Sequence, residues 1–491
     1  MSARCVMVLG TSSGAGKSWI TTALCRAYAD MGFKVAPFKA QNMSNNARVV
    51  ATPDGRMGEI GSAQYFQALA ARATPHVDMN PVLLKPEADT RSQVVVSGQV
   101  HPELNETPWR ERSPMLWPHI RAALQRVRQD NDVVVIEGAG SPAEINLHAS
   151  DIVNMRVARE AQARCLLVTD IDKGGAFAHL YGTWALLQED DRALLDGYVL
   201  NKFRGDASLL APAPQELAML TGVPTVATLP WWGGHGLPDE DGVFVHHAAR
   251  GLPCLKVAIL AWPRISNLDE FQALRNVDGV HITWARSPSD CVGADWLILP
   301  GSKDTSADLK WMRTQGLDHA VSAHASRGAP VLGICGGLQM LGEALIDSHS
   351  IDGNQPGLGL LPLVTSFERD KTVQLTHTRF APLHGVWAAL SDLNVHGYEI
   401  HQGQTQAHTA MLAAGDVAHE VLPGLGWQNT AGNVLGVYLH GLFEDPSVLR
   451  ALLGPLINAP VRDLDSVFDG LAAHWLMHSD PGLLQQLIQH R

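Results

Sequence analysis

Short, nearly unbroken apolar runs alternate with helix-length stretches along most of the chain, and this rhythm leaves few folds open. In the first 230 residues the series is CVMVLG, residues 17–31, KVAPF, an Ala-rich stretch 59–73, DVVVIEG, residues 151–162, CLLVTD, residues 175–187, GYVLN and VPTVATL. Strands buried on both faces read as continuous apolar runs, and helical crossovers make their neighbours parallel. The expectation is therefore a doubly wound, mostly parallel α/β sheet. A second βα series starts at LKVAILAWP and continues through VHITWA, DWLILPG and APVLGICGG, with strand-like segments near 358–367, 396–405 and 434–443. Residues 446–491 read as helical. Between the two series, WWGGHGLPDEDGVFVHHAARGLP (231–253) is rich in Gly, Pro and acid and has no sustained period, as an exposed connection does. The 491 residues thus divide into an α/β domain at 1–230, a linker at 231–252, a second α/β domain at 253–450 and a helical segment at 451–491.

Charge narrows the choice of partner. Lys and Arg number 37 against 49 Asp and Glu, a net charge of −12 with no basic block, which argues against a broad nucleic-acid or anionic-membrane surface. Any anionic ligand must be held locally. The chain opens with MSARCVMVLG, with no signal-peptide pattern, and no run of about 18 apolar residues occurs, so the expected location is the cytoplasm. The cysteines at 5, 25, 165, 254, 291 and 335 include no CxxC pair, against a zinc site or a disulfide framework.

Gly10-Thr11-Ser12-Ser13-Gly14-Ala15-Gly16-Lys17-Ser18 lies between an apolar strand and an amphipathic helix, the setting of a phosphate-binding loop. Backbone N–H groups of such a loop curl round phosphate oxygens, the helix N-terminus adds positive potential, Lys17 reaches the β- and γ-phosphates and Ser18 can ligate Mg²⁺. The usual pattern has glycine where this chain has Thr11; Gly10 stands one residue earlier. Val133–Ile136 ends in Glu137, a carboxylate at the carboxyl edge of the sheet and a candidate Mg²⁺ ligand. Asn201-Lys202-Phe203-Arg204 follows another strand, and Arg204 stands where a guanine-reading aspartate would be, favouring ATP with Asn201 beside it.

Val331–Ile334 leads into Gly333-Ile334-Cys335-Gly336-Gly337 and then a helical pattern. Flanking glycines allow the tight strand-to-helix turn that exposes a nucleophile at a helix N-terminus. The other five cysteines read as small core residues. A base is needed, and His440, 105 residues downstream in VLGVYLHGLF, follows an apolar run. Gly301, ending the strand DWLILPG, could supply an oxyanion N–H together with Gly336.

The first half resembles the dethiobiotin-synthetase-like ATPases, whose loops carry the same displaced glycine. The second resembles class I glutamine amidotransferase domains, flavodoxin-like in fold, of the cobyrinic/cobyric acid type. Within that group PFKAQNMSNN (37–46), GEIGSAQ (58–64), NPVLLKP (80–86), EGAGSPAEINL (137–147), DIDKGGAFAHLYGT (170–183), NKFRGD (201–206), GYEIHQG (397–403) and the Cys335 and His440 motifs are similar to the cobyric acid synthase family. The resemblance implies an ATP- and Mg²⁺-dependent carbon–nitrogen ligase of cobalamin biosynthesis. It would amidate the b, d, e and g carboxylates of adenosylcobyrinic acid a,c-diamide through acyl phosphates, with ammonia from a Cys335–His440 glutaminase. Its partners would be small molecules (corrinoid, glutamine and ATP), without nucleic acid, membrane or a tightly bound prosthetic group; oligomeric state has no signature here. Many relatives carry a glutamate two residues after the histidine, where this chain has Leu442, so a third member is open, with Glu399 and Glu444 as candidates. Lys39 is a candidate for substrate or phosphate; Lys85, Arg91 and Lys173 are further cations for an acidic substrate.

Two rival readings remain. A cobyrinic acid a,c-diamide synthase is expected to carry a GPDYID-like segment where this chain has AQNMSNN. A partition-type regulatory ATPase with an inactive amidotransferase domain commonly has a second lysine early in its phosphate loop, where Thr11–Ala15 stand here.

Overall fold

The computed structural model describes residues 3–88, 91–238, 254–454 and 463–489, and the chain separates into two compact units. The first comprises Met1–Ser44, Val50–Asp241 and Asp463–Arg491; the second comprises Asn45–Val49 and Gly242–Arg462.

The first unit is built on six strands: β1 (Arg4–Gly10), β2 (Val35–Phe38), β3 (Val133–Glu137), β4 (Arg164–Asp170), β5 (Leu195–Phe203) and β6 (Thr225–Pro230). They lie in the order β6-β5-β4-β1-β3-β2 with every neighbour parallel. Successive residues of β1 feed different cores: Met7 and Leu9 pack with Ile136 and Leu167, while Val6 and Val8 pack with Val135 and Leu166. That two-sided burial is why these strands read as unbroken apolar runs. Helix α1 (Lys17–Asp30) starts at Gly16 and turns Ile20, Ala23, Leu24 and Ala27 onto the sheet. A smaller four-stranded sheet joins Gln41–Met43, Val82–Ala88, Arg91–Val96 and Gln99–Val100.

The second unit has a seven-stranded sheet made by β7 (Leu255–Leu260), β8 (Val280–Ala285), β9 (Trp296–Leu299), β10 (Val331–Ile334), β13 (His419–Leu422), β14 (Gly426–Gln428) and β15 (Val434–Val437), in the order β8-β7-β9-β10-β15-β14-β13. The strands from β8 to β15 are parallel and the last two antiparallel. Between β10 and β13 run the long antiparallel strands β11 (Leu363–Arg379) and β12 (Asn394–Ala407).

Several elements differ from the sequence reading for local reasons. The Ala-rich stretch becomes a helix only from Ser62, after a short strand Met57–Gly61. Residues 151–154 form a turn because the Asp151 carboxylate accepts from the backbone N–H groups of Val153, Asn154 and Arg156; the helix begins at Met155. The strand-like run 434–443 leaves the sheet at Val437, and most of the expected linker, like residues 455–462, lies outside the described residues.

Of the helical C-terminal stretch, the helix Pro446–Leu453 belongs to the second unit, and the part from Asp463 packs within the first. Asp463 caps the helix Leu464–His478, accepting from Ser466 N at 2.8 Å. Arg26 of α1 binds Asp465 and, at 2.9 Å, Asp469; Tyr28 donates to the Leu484 carbonyl at 3.0 Å. Trp475 and Leu471 are buried in the cluster that holds Ile20 and Leu24. Trp475→Ala should therefore cost the first unit about 3–5 kcal/mol, the usual loss for truncating a buried Trp. In a two-phase denaturant curve this appears as a lowered midpoint for the first unit with the other transition unmoved.

Candidate functional site

The first unit gathers its sequence-predicted residues at the carboxyl ends of β1 and β3. Gly16 has φ +106°, and a Cβ there would lie 2.0 Å from Asn201 Nδ2, so only glycine fits. Asn201 Nδ2 donates to the Ala15 carbonyl at 2.7 Å, tying β5 to the loop. Thr11 is held by β4: its N–H donates to Val168 O at 2.9 Å and its hydroxyl to Thr169 Oγ1 at 3.1 Å. Lys17, nearly buried, crosses the loop to the carbonyls of Ser12 (3.1 Å) and Gly140 (3.3 Å), its ammonium close to Gly10. Gly14 has φ +70°, and its carbonyl accepts from Lys202, which also binds Asp170 at 2.9 Å.

Glu137 is fully enclosed. One carboxylate oxygen accepts from Ser18 Oγ and Lys39 Nζ, both at 2.9 Å, and the other accepts from Gln67 at 2.6 Å. A carboxylate and a hydroxyl beside a phosphate loop are the hard oxygen donors that suit Mg²⁺. Among the described residues no group of three or more His, Cys, Asp or Glu forms a metal site, so phosphate oxygens and water would have to complete the shell. Of the other cations, Lys85 is buried against Glu59 at 2.7 Å, Arg91 pairs with Glu87 at 2.9 Å, and Lys173 is exposed, 3.7 Å from Asp170.

The second unit assembles a separate constellation. Cys335 joins β10 to helix α2 (Gly336–Leu341) with φ +50° and ψ −106°, a conformation an L-residue adopts only under strain. Its neighbours have no room for side chains: a Cβ on Gly337 would lie 1.9 Å from Leu299 O. Cys335 N–H donates to Val437 O at 2.8 Å, pinning the turn to β15. Gly336 opens α2, where a helical N–H has no partner within the helix, and Gly301 pairs with Ser266 in a two-residue antiparallel ladder.

His440 leaves β15 and forms a backbone bridge with Tyr398. Its Nδ1 is 3.0 Å from Glu270 Oε1, and the other Glu270 oxygen accepts from Gly441 N at 3.0 Å. Burial would pull the imidazole pKa down, but the Glu270 carboxylate and the Cys335 sulfur reverse this and push it up to about 10. Burial instead pushes the thiols of Cys5 and Cys291 up to about 11, and that of Cys25 further, as inert core residues.

Sequence reasoning missed Glu270. It lies on a turn, Leu268–Phe271, with no motif round it, 170 residues from His440; the absence of an acid at Leu442 was the available signal. The two acids considered instead are otherwise engaged: Glu399 accepts from Gln374, Thr376 and His401, and Glu444 binds Arg48.

A cysteine on a strained strand-to-helix elbow with a carboxylate-held histidine, in one chain with a phosphate-loop α/β unit, defines a glutamine amidotransferase ligase. Residues 256–448 match the CobB/CobQ-like glutamine amidotransferase domain and residues 6–232 the CobQ/CobB/MinD/ParA nucleotide binding domain. A cobyric acid synthase of Acidovorax sp. (strain JS42) is 68% identical over 99% of this chain and 98% of its own length. That of Paracidovorax citrulli is 69% identical over 96% of both, and that of Leptothrix cholodnii 62% over 99% and 97%. The chain belongs to the cobyric acid synthase family.

The raised imidazole pKa has a direct consequence. Because the folded value exceeds the ordinary 6.5, the ion pair's stabilisation is complete below about pH 6.5 and is lost as pH rises through about 10. Glu270→Gln removes the largest charge holding the imidazole pKa up, so the imidazolium should titrate lower. Glutamine hydrolysis followed against pH should show its alkaline limb moved to lower pH and kcat reduced by up to about 10⁴-fold, as when the carboxylate of a nucleophile–histidine–acid triad becomes an amide; an unmoved limb would mean that Glu270 does not hold the proton.

Proposed function

We propose that the chain converts adenosylcobyrinic acid a,c-diamide to adenosylcobyric acid by amidating the b, d, e and g carboxylates, with ATP activating each and glutamine supplying the nitrogen. The observation that carries this reading is the pairing in one chain of a Cys335–His440–Glu270 constellation with a phosphate loop and an enclosed Glu137–Lys39 pair. Family membership at 62–69% identity supports the substrate.

In the glutaminase, Cys335 thiolate attacks the glutamine amide carbon while the backbone N–H groups of Gly301 and Gly336 receive the oxyanion. Protonated His440, held by Glu270, gives its proton to the departing nitrogen and ammonia leaves, forming a thioester. His440 then takes a proton from water, which attacks the thioester and releases glutamate and the thiolate.

In the ATPase unit the loop N–H groups from Gly10 to Gly16 and the Lys17 ammonium hold the phosphates, with Asn201 fixing the loop. A substrate carboxylate oxygen attacks the γ-phosphorus and ADP leaves; ammonia then attacks the acyl carbon and phosphate leaves. Mg²⁺, held by Ser18 and Glu137, would neutralise charge spreading over the phosphates. Lys39, already on Glu137, stands close enough to that carboxylate to steady the transferred phosphoryl group or the acid it joins.

Incubated with the a,c-diamide, ATP and glutamine, the protein should give a product whose mass reflects four replacements of OH by NH₂. Cys335→Ser should lose that synthesis with glutamine and keep it with high ammonium, since only the nitrogen supply is removed. Equal loss with both nitrogen sources would sink the two-site reading.

Lys17→Ala should abolish amidation with either source, because a positive group facing the phosphates contributes several kcal/mol to binding or to the transition state, about a thousandfold in rate. Wild-type ammonium-dependent amidation in that variant would show that Lys17 does not face the phosphates.

A further inference from the structure

Residues 45–49 are grouped with the second unit although the chain on either side of them belongs to the first. They are bound there by specific contacts. Asn46 Oδ1 accepts from Leu268 N at 2.9 Å, and Ala47 O accepts from Asn267 Nδ2 at 3.0 Å. Arg48 follows, fully buried. Its Nε donates to Asp269 Oδ2 and another guanidinium nitrogen to Glu444 Oε2, both at 2.8 Å.

The guanidinium also lies over the Tyr398 ring, 5.0 Å from its centroid. Tyr398 is buried, and its hydroxyl accepts from Asn267 at 2.7 Å. The ring is stacked on the His440 imidazole, with centroids 5.3 Å apart and planes 20° from parallel. Tyr398 and His440 are also joined through their backbones, at 3.2 and 2.9 Å. Glu270 therefore holds the imidazole at its edge while Tyr398 holds its face, and the residue packed on Tyr398 is Arg48.

We propose that Arg48 is a positioning residue for the glutaminase, fixing the Tyr398 ring and through it the plane of the His440 imidazole. This rests on the Cys335–His440 reading above. Arg48 touches neither glutamine nor a reacting atom; it acts by restricting where the base can sit. The arrangement calls for arginine rather than lysine, because a planar fork can bind two carboxylates and stack on a ring together, whereas an ammonium is a point charge. It also balances charge: Asp269, Glu270 and Glu444 meet here, and Arg48 pairs with two of them while His440 pairs with the third. A buried cluster that only held the fold together would not need to touch the ring on which the base is stacked.

The test is steady-state glutamine hydrolysis by the full-length protein. Arg48→Met should lower kcat about 100-fold, the usual consequence of misplacing a catalytic group by about 1 Å, with KM for glutamine within about threefold of wild type. Tyr398→Leu, which removes the stacking face together with the hydroxyl bound by Asn267, should do the same. The double variant should lose no more than either single one, because both act through the same imidazole. Wild-type kcat in Arg48→Met, a raised KM with kcat intact, or losses that multiply in the double variant would each overturn the proposal. Should Arg48→Met not fold, Arg48→Lys decides it: charge is kept but the fork is lost, so kcat should fall about 10-fold at constant KM, and wild-type kcat there overturns the assignment. Retained glutaminase in Cys335→Ser would instead overturn the reading on which it rests.

Discussion

The left-handed backbone at Cys335 is the constraint from which the second unit's geometry follows. A strand that must turn at once into a helix, with the buried Cys335 side chain at the corner, leaves no volume for side chains at its neighbours. Leu299 O occupies the space a side chain at 337 would need. The strain is tolerated because β10 lies between β9 and β15 and the Cys335 amide is bonded to Val437. The same strand β15 then carries the chain to His440, so one piece of sheet fixes both the Cys335 backbone and the point from which His440 departs.

Both units handle buried charge in the same way, by pairing each buried group within a small closed network. Glu137 has partners on both oxygens, Lys85 meets Glu59, and Glu270 spends one oxygen on an imidazole and the other on a backbone amide. Removing one member of such a pair strands the other, so these sites tolerate conservative change poorly. In the second unit the carboxylate that holds His440 by its Nδ1 also favours the protonated imidazole.

What could be read from the chain was what is local. Glycines 10, 14 and 16 before Lys17, and glycines 333, 336 and 337 round Cys335, impose backbone shapes within a few residues, and the βα rhythm located their strands. His440 was singled out by the resemblance of its motif, because an apolar strand before it does not by itself distinguish it among 22 histidines. Glu270 and Arg48 were not: each acquires its role only through partners far away in sequence, 170 residues for Glu270 with His440 and 396 for Arg48 with Glu444. Helix Leu464–His478 was legible as a helix, but nothing in its periodicity names α1 as its partner. Asp151 shows the opposite failure, a short polar side chain recruiting three amides into a turn where the apolar spacing suggested helix.

The order in which the units close during synthesis follows from where their pieces lie. Leu471 and Trp475, which complete the core over α1, leave the ribosome after the whole amidotransferase sheet, so the unit begun first is finished last. Until then the face of α1 that they cover waits through the translation of more than four hundred residues, from Asp30 to Leu464. The stretch 45–49, made early, must likewise wait for Asn267 and Asp269. Neither unit is one continuous stretch of chain, so no single cut releases either of them whole.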